Sequence, residues 1–343
     1  MHLHLKECHR LLQYVKQSRI YLFLDASKAF DHVCHWNLFY KMKERGVPAL
    51  IIRILLFWYR SQTICVKWGT CVSESFKVTN GVRQGSILSP RLFALYVDDL
   101  SIKLNECNVG CAVDSTSLNH LFYADDLCLM APTAFALQKL VNICQAYGKS
   151  NDILYNPTKS QCMVFKPPRY NLLCPIVTLG DKIIEYRESV KYLGVLICSD
   201  SKDNKELRKQ TQMLYSRANS IMRRFSECSA NVKRLLVDTY CMNFYCMPLW
   251  SRHNSREFNK IKAAYNNVYR ILLGYPKRSS ASHMLVSNNV ITFEGLLRKN
   301  VYNFMLRLKG SPNRLLQILQ SNFTVLNGAM FTRWSDILFS RVV

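Results

Sequence analysis

Two apolar tetrads, Leu121-Phe122-Tyr123-Ala124 and Leu127-Cys128-Leu129-Met130, flank the acidic doublet Asp125-Asp126. The pattern predicts strand, two-residue turn, strand, with the doublet as the turn. Two adjacent carboxylates repel each other and are costly to desolvate, so a hairpin buried up to such a turn calls for positive charge there. A divalent cation supplies it. A second apolar run, Tyr21 to Leu24, ends in a third acid, Asp25. If that strand lies beside the hairpin, three carboxylates meet at one sheet edge. Hard oxygen donors suit Mg²⁺, and two such ions about 3.5–4 Å apart suit phosphoryl transfer. Taken alone, an Asp-Asp pair is equally a solvated turn. Asp98-Asp99, within a helical segment, is read as an exposed face.

The charge balance narrows the partner. The 343 residues carry 46 Lys and Arg against 23 Asp and Glu, a net charge of +23, and 49% of the chain is hydrophobic. That apolar fraction excludes a disordered basic tail. A folded body with this surplus expects a polyanion, nucleic acid first and an anionic membrane surface second. The most apolar run, residues 49–59, is too short to span a bilayer and is interrupted by Arg53. It predicts a buried helix and no membrane partner. The 14 cysteines sit among apolar residues, as at Cys65 and Cys128, and no apolar leader is visible near Met1. Reduced thiols and an intracellular protein in nucleus or cytoplasm, not a secreted one, are expected. Cys107, Cys111, His120 and Cys128 have the wrong spacing for a zinc finger.

Periodicity predicts helices over 35–45, 49–60, about 90–103, 133–150, 205–227, 230–247, 254–273 and 291–309. It predicts β-ribbon over Thr63 to Thr79, strand at Gln161 to Phe165 and a strand or hairpin arm at Val190 to Cys198. The character changes near Asp200. Residues 201–310 hold 20 Lys and Arg against six Asp and Glu. An α+β domain over 1–199, a basic all-α domain over 200–310 and a helical extension over 311–343 are therefore expected.

Five blocks in this chain carry a family resemblance. Asp25-Ala26-Ser27-Lys28-Ala29-Phe30-Asp31-His32-Val33 resembles D-x-x-K-A-F-D-x-V. Gly81 to Phe93 resembles an R-Q-G…S-P motif, with Arg83, Gln84, Gly85, Ser89 and Pro90 matching. Phe122-Tyr123-Ala124-Asp125-Asp126 contains a Y-A-D-D box. Asn156-Pro157-Thr158-Lys159-Ser160 resembles N-x-x-K-[ST], and Tyr192-Leu193-Gly194 a Y-L-G element. In this order and spacing they resemble the reverse transcriptases of non-LTR, LINE-type retrotransposons.

The resemblance implies a polymerase palm, an antiparallel sheet backed by helices, followed by a thumb-like helical domain. It implies an RNA template, a DNA primer and deoxynucleotides as partners, with two Mg²⁺ ions, or Mn²⁺, held by Asp25, Asp125 and Asp126. It makes Phe30 a steric gate under the sugar. Arg83, Gln84, Gly85 and Tyr123 would line the template and nucleotide side. Lys159 would assist the departing pyrophosphate, and Tyr192, Leu193 and Gly194 would form the primer grip. Lys202, Lys205, Arg208, Lys209, Arg223 and Arg224 would follow the nucleic-acid backbone, and most thumb aromatics would be core. Asp31 is read as a helix cap. The motifs begin close to Met1, and the only upstream cations are Lys6, Arg10, Lys16 and Arg19. A copy with only a remnant of the fingers, and without an endonuclease, is expected. The alternative is a silent descendant that only binds RNA or RNA–DNA hybrid.

Overall fold

The apolar run that ends in Asp25 forms β1 (Arg19–Leu24), every residue of which is buried. It is the middle of a five-stranded sheet in the order β13-β10-β1-β9-β8. Here β8 is His120–Tyr123, β9 Asp126–Ala131, β10 Gln161–Phe165 and β13 Glu185–Tyr186. All pairings are antiparallel except the short β10–β13 contact. A central strand covered on both faces reads as an unbroken apolar run, which is what the sequence offers here. The computed structural model describes residues 19–113, 116–165, 176–322 and 326–339. Lys6, Arg10 and Lys16 lie outside them.

Four helices belong to the same unit: α1 (His35–Glu44), α2 (Ala49–Arg60), α3 (Ser89–Glu106) and α4 (Ala134–Ser150). Pro90 sits in the first turn of α3. The Thr133 hydroxyl caps α4 by accepting the Ala136 N–H at 3.2 Å. Tyr96, Leu100, Leu104, Leu137, Leu140 and Val141 pack with Leu22, Leu24, Leu127 and Leu129 in one core. Each such side chain contributes roughly 1.5–3 kcal/mol on burial. The mixed α+β fold and the helix-backed sheet are as expected.

Short ribbons complete this half. They pair β2 (Thr63–Ile64) with β5 (Phe76–Lys77) and β3 (Lys67–Trp68) with β4 (Cys71–Val72). Further pairs are β6 (Cys111–Val113) with β7 (Thr116–Leu118) and β11 (Thr178–Leu179) with β12 (Lys182–Ile183).

Expectations for α2, for the Asp98-Asp99 pair and for Asp31 are corrected here. Helix α2 is not buried: only Leu55 and Tyr59 are, while Leu50 (68% exposed), Phe57 (67%) and Trp58 (59%) face out. Its twelve residues are apolar nearly all round, and only one stripe meets the core. Asp98 and Asp99 are not simply solvated. Arg45 pairs with both, and Lys41 reaches Asp99 at 2.9 Å. Asp31 does not cap α1, which begins at His35 after Cys34.

The chain divides into two compact units between Glu188 and Ser189, earlier than the change in composition near Asp200. The hairpin of β14 (Ser189–Tyr192) and β15 (Val195–Cys198) goes with the helices because Glu206, fully buried, accepts the Leu196 N–H at 2.8 Å. Its helices among the described residues include α5 (Asn204–Arg224), α6 (Ala230–Tyr240), α7 (Ser255–Leu272), α8 (Ala281–Ser287), α9 (Phe293–Lys309), α10 (Arg314–Ser321) and α11 (Ala329–Phe339). The helix expected over 230–247 stops at Tyr240. Cys246 takes a left-handed φ of +56°, and Pro248 opens a 3₁₀ turn over Met247–Leu249. Phe244, Trp250, Tyr265 and Phe293 form the aromatic core of this unit, with ring centroids 5.6–6.4 Å apart. Of the aromatics expected mostly as core, Phe244, Tyr265 and Tyr269 are buried, while Phe225, Tyr240 and Tyr245 are exposed. Cys34, Cys65, Cys71, Cys107, Cys111, Cys144, Cys228 and Cys241 are free thiols, though Cys65 and Cys71 are exposed rather than buried. No helix among them is long and apolar enough to cross a membrane.

Candidate active site

The hairpin turn consists of Ala124 and Asp125, one residue earlier than the sequence suggests, because Tyr123 and Asp126 are its closing pair. Ala124 has φ +52°. A two-residue turn needs positive φ at its first central position, and a residue with a Cβ held there costs roughly 1–2 kcal/mol. The turn splits the doublet. Asp125 is exposed on the turn, and Asp126 is half-buried as the first residue of β9.

The β1–β9 register sets Leu24 against Leu127, so Asp25 leaves the end of β1 beside Asp126. Burial chiefly, then the charges of Asp125 and Asp25, pushes the Asp126 carboxyl above the usual carboxylate range. The β1–β9 and β8–β9 registers put the three acids in one neighbourhood. Coordination is a stricter condition. Among the described residues no three His, Cys, Asp or Glu side chains converge as a ready metal cage. The donor set itself, hard carboxylates of which one is destabilised by the other two, fits a divalent cation.

The main chain of Asp25 is tied down on its far side. Its N–H donates to Ser160 Oγ at 3.1 Å, and its carbonyl accepts the Asn156 N–H at 2.8 Å. Lys159, in the same turn, is exposed. The motif match covers Asn156, Lys159 and Ser160 but gives a role only to Lys159; the roles of Asn156 and Ser160 are main-chain bonds that no composition or periodicity announces. A second unforeseen constellation lies at the start of β8. Ser101 Oγ and His120 Nε2 are 2.7 Å apart, as are His120 Nδ1 and Asn119 Oδ1. Burial drives the imidazole down to about 4, so it is neutral and locks β8 to α3.

Phe30 is half-buried and stacks on Phe93 of α3, with centroids 4.8 Å and planes 11° apart. Its carbonyl accepts the Val82 N–H at 2.8 Å, which fastens the 81–88 loop beside it. Gly81 has φ +90°, and a Cβ there would lie 2.9 Å from the Asp31 carbonyl oxygen. Arg83, Gln84 and Gly85 are exposed on this loop. A cavity of about 470 Å³ opens next to it, lined by Trp58, Tyr59, Gln62, Arg83 and Ser86 among others. Tyr123, at the mouth of the acidic turn, is 40% exposed.

The remaining expected residues lie in the second unit. Leu193 and Gly194 form the β14–β15 turn with φ +47° and +81°, the two positive values of a type I′ turn. The Leu193 carbonyl accepts from Tyr245 Oη at 3.3 Å and the Gly194 carbonyl from Lys209 Nζ at 2.7 Å, while the Tyr192 ring is buried. Lys209 is thus engaged, and Arg208 pairs with Glu257 at 3.1 Å. Lys202, Lys205, Arg223 and Arg224 are exposed.

A sequence profile described as "Reverse transcriptase (RNA-dependent DNA polymerase)" matches residues 2–197, more than half of the chain. The chain belongs to the reverse transcriptase family. Among curated relatives, the RNA-directed DNA polymerase from mobile element jockey of Drosophila melanogaster is 22% identical over 333 residues, 92% of this chain and 35% of that protein. The probable RNA-directed DNA polymerase from transposon BS of the same organism is 23% identical over 326 residues, 90% of this chain and 35% of the relative. A Pol polyprotein from the type-1 retrotransposable element R2 of Nasonia vitripennis is 26% identical over 181 residues, 50% of this chain and 18% of that protein. This family member spans about a third of the length of the first two. A solved apo telomerase from Candida tropicalis superposes with a TM-score of 0.46 at 12% identity, covering 97% of this chain and 51% of that one.

Proposed function

We propose that this chain carries the polymerase centre of a non-LTR retrotransposon reverse transcriptase, extending a primer 3′-hydroxyl with deoxynucleotides on an RNA template. The observation that carries the reading is the strand edge where the β1–β9 and β8–β9 registers set Asp25, at the end of β1, beside Asp126 and the turn residue Asp125. Asp25, Asp125 and Asp126 would hold two Mg²⁺ ions, or Mn²⁺, which supply activation of the hydroxyl and neutralisation of phosphate charge. The rest is positioning. Phe30, fixed by Phe93 and by the Val82 bond, would serve as the sugar-sensing ring. Arg83, Gln84 and Gly85 present donors and open backbone to template and nucleotide, and Tyr123 flanks the acids. Exposed Lys159 is free to meet the departing pyrophosphate. Tyr192, Leu193 and Gly194 contribute a rigid turn for the primer, and Lys202, Lys205, Arg223 and Arg224 charge for phosphates. The protein would work inside the cell, in nucleus or cytoplasm.

The test is extension of a primed RNA template by the purified chain with Mg²⁺ and deoxynucleotides. Extension that Asp125→Ala abolishes is expected. Tight, salt-sensitive binding of RNA–DNA hybrid with no extension in the wild type would overturn the reading in favour of a silent binder.

A further inference from the structure

We propose that Ser160 and Asn156 are positioning residues for Asp25, fixing the backbone on which the first acid stands and thereby setting how tightly the acids hold a divalent ion. The inference rests on the metal-site reading above and adds residues outside the acidic set.

Asp25 is the first residue beyond β1, where the ladder runs out. The last pairs are Leu24 with Leu127 on one side and Phe23 with Gln161 on the other. Its peptide groups therefore need other partners. Both find them on one five-residue turn. The Asp25 N–H donates to Ser160 Oγ (3.1 Å), and Ser160 Oγ donates to the Asn156 carbonyl (2.7 Å). The Asn156 N–H donates back to the Asp25 carbonyl (2.8 Å). The ring of bonds is closed, and Ser160 is 0% exposed, so no water competes for its hydroxyl. That hydroxyl uses a donor and an acceptor at once. Threonine keeps both and alanine has neither.

The turn is itself stiffened. Asn156 Oδ1 accepts from the Thr158 N–H (3.0 Å), Thr158 Oγ1 (2.7 Å) and the Lys159 N–H (3.3 Å). The next residues of the first motif are held by the same segment. Ala26 bridges to Tyr155, and the Ser27 N–H donates to the Leu154 carbonyl at 2.8 Å. With its main chain fixed, Asp25 has only its own side-chain torsions left to search. The acids do not converge unaided, so a rigid base for one of them determines the reach required of the others.

The test measures Mn²⁺ binding by electron paramagnetic resonance on the full chain, without nucleic acid or nucleotide, alongside hydrogen exchange at Asp25. Ser160→Ala is expected to weaken Mn²⁺ binding about tenfold, the scale of lost support around a metal ligand, and to speed exchange of the Asp25 amide. Ser160→Thr should restore both to within about twofold of wild type. Wild-type Mn²⁺ affinity in Ser160→Ala overturns the proposal. Asp25→Ala separates the two ideas. If it binds Mn²⁺ as wild type does, the metal-site reading itself fails. If it loses binding while Ser160→Ala keeps it, only the positioning role fails. Should Ser160→Ala not fold by circular dichroism, Asn156→Ala takes its place. It keeps the Ser160 hydroxyl and removes only the side-chain bonds of the turn. A several-fold loss of Mn²⁺ affinity is expected, and wild-type affinity again overturns the idea.

Discussion

Asp126 is an acid that the fold disfavours in its charged form. Its carboxyl is raised by burial and by two neighbouring acids, so ionising it costs more in the folded than in the unfolded chain. The stability it contributes is present at low pH and is lost as pH rises through the raised value. Asp126→Asn should therefore raise the melting temperature of the metal-free protein at pH 7, with the difference vanishing in acid. Added Mn²⁺ should stabilise the wild type more than the variant. Asp99 runs the other way. Burial raises it, but Lys41 and Arg45 outweigh that and hold it low. Its contribution is present above the ordinary carboxylate range and lost as pH falls. Lys41 also donates to the Tyr96 carbonyl and the Tyr147 hydroxyl. Lys41→Met should cost about 2 kcal/mol by urea unfolding at pH 7, and less below pH 4. Phe30→Ala should relax sugar selectivity, read as the ratio of ribo- to deoxynucleotide incorporation; an unchanged ratio would leave Phe30 as core beside Phe93. The two Asp-Asp pairs show what was legible. Strand periodicity around Asp125 and helical periodicity around Asp98 told them apart, while the cations that neutralise Asp98 and Asp99 come from α1, 53 and 54 residues away, beyond any local pattern.

At the scale of elements, the strands and helices that carry the motifs were legible because period and apolar content agree. Turn register was less so. Placing Ala124 at φ +52° is locally unfavourable, and only pairing across β8 and β9 makes Tyr123 and Asp126 the closing pair. Gly81 is the sharper case. Its positive φ and its approach to Asp31 leave no room for a methyl group. Gly81→Ala should destabilise the protein by about 2 kcal/mol or more in urea and loosen the loop that braces Phe30. The helical stripe of α5 buries Leu207, Leu214, Ala218 and Ile221, yet Glu206 and Gln210 are buried with it. A buried glutamate is invisible to an apolar pattern; it is there because the β15 backbone needs an acceptor.

The whole molecule is strongly basic, and that charge belongs to surface rather than to fold. Binding of RNA–DNA hybrid should weaken steeply with salt. Replacing Arg223 and Arg224 by alanine should lower the slope of log K against log salt by up to about 2, if both meet phosphates. An unchanged slope would remove them from the contact surface. The outward side of α2 has a more practical meaning. A helix offering Leu50, Phe57 and Trp58 to water makes the isolated polypeptide adhesive. It will cling to phenyl resins, bind fluorescent apolar dyes while fully folded, and cloud at modest concentration unless mild detergent or a polar replacement at Phe57 masks that flank.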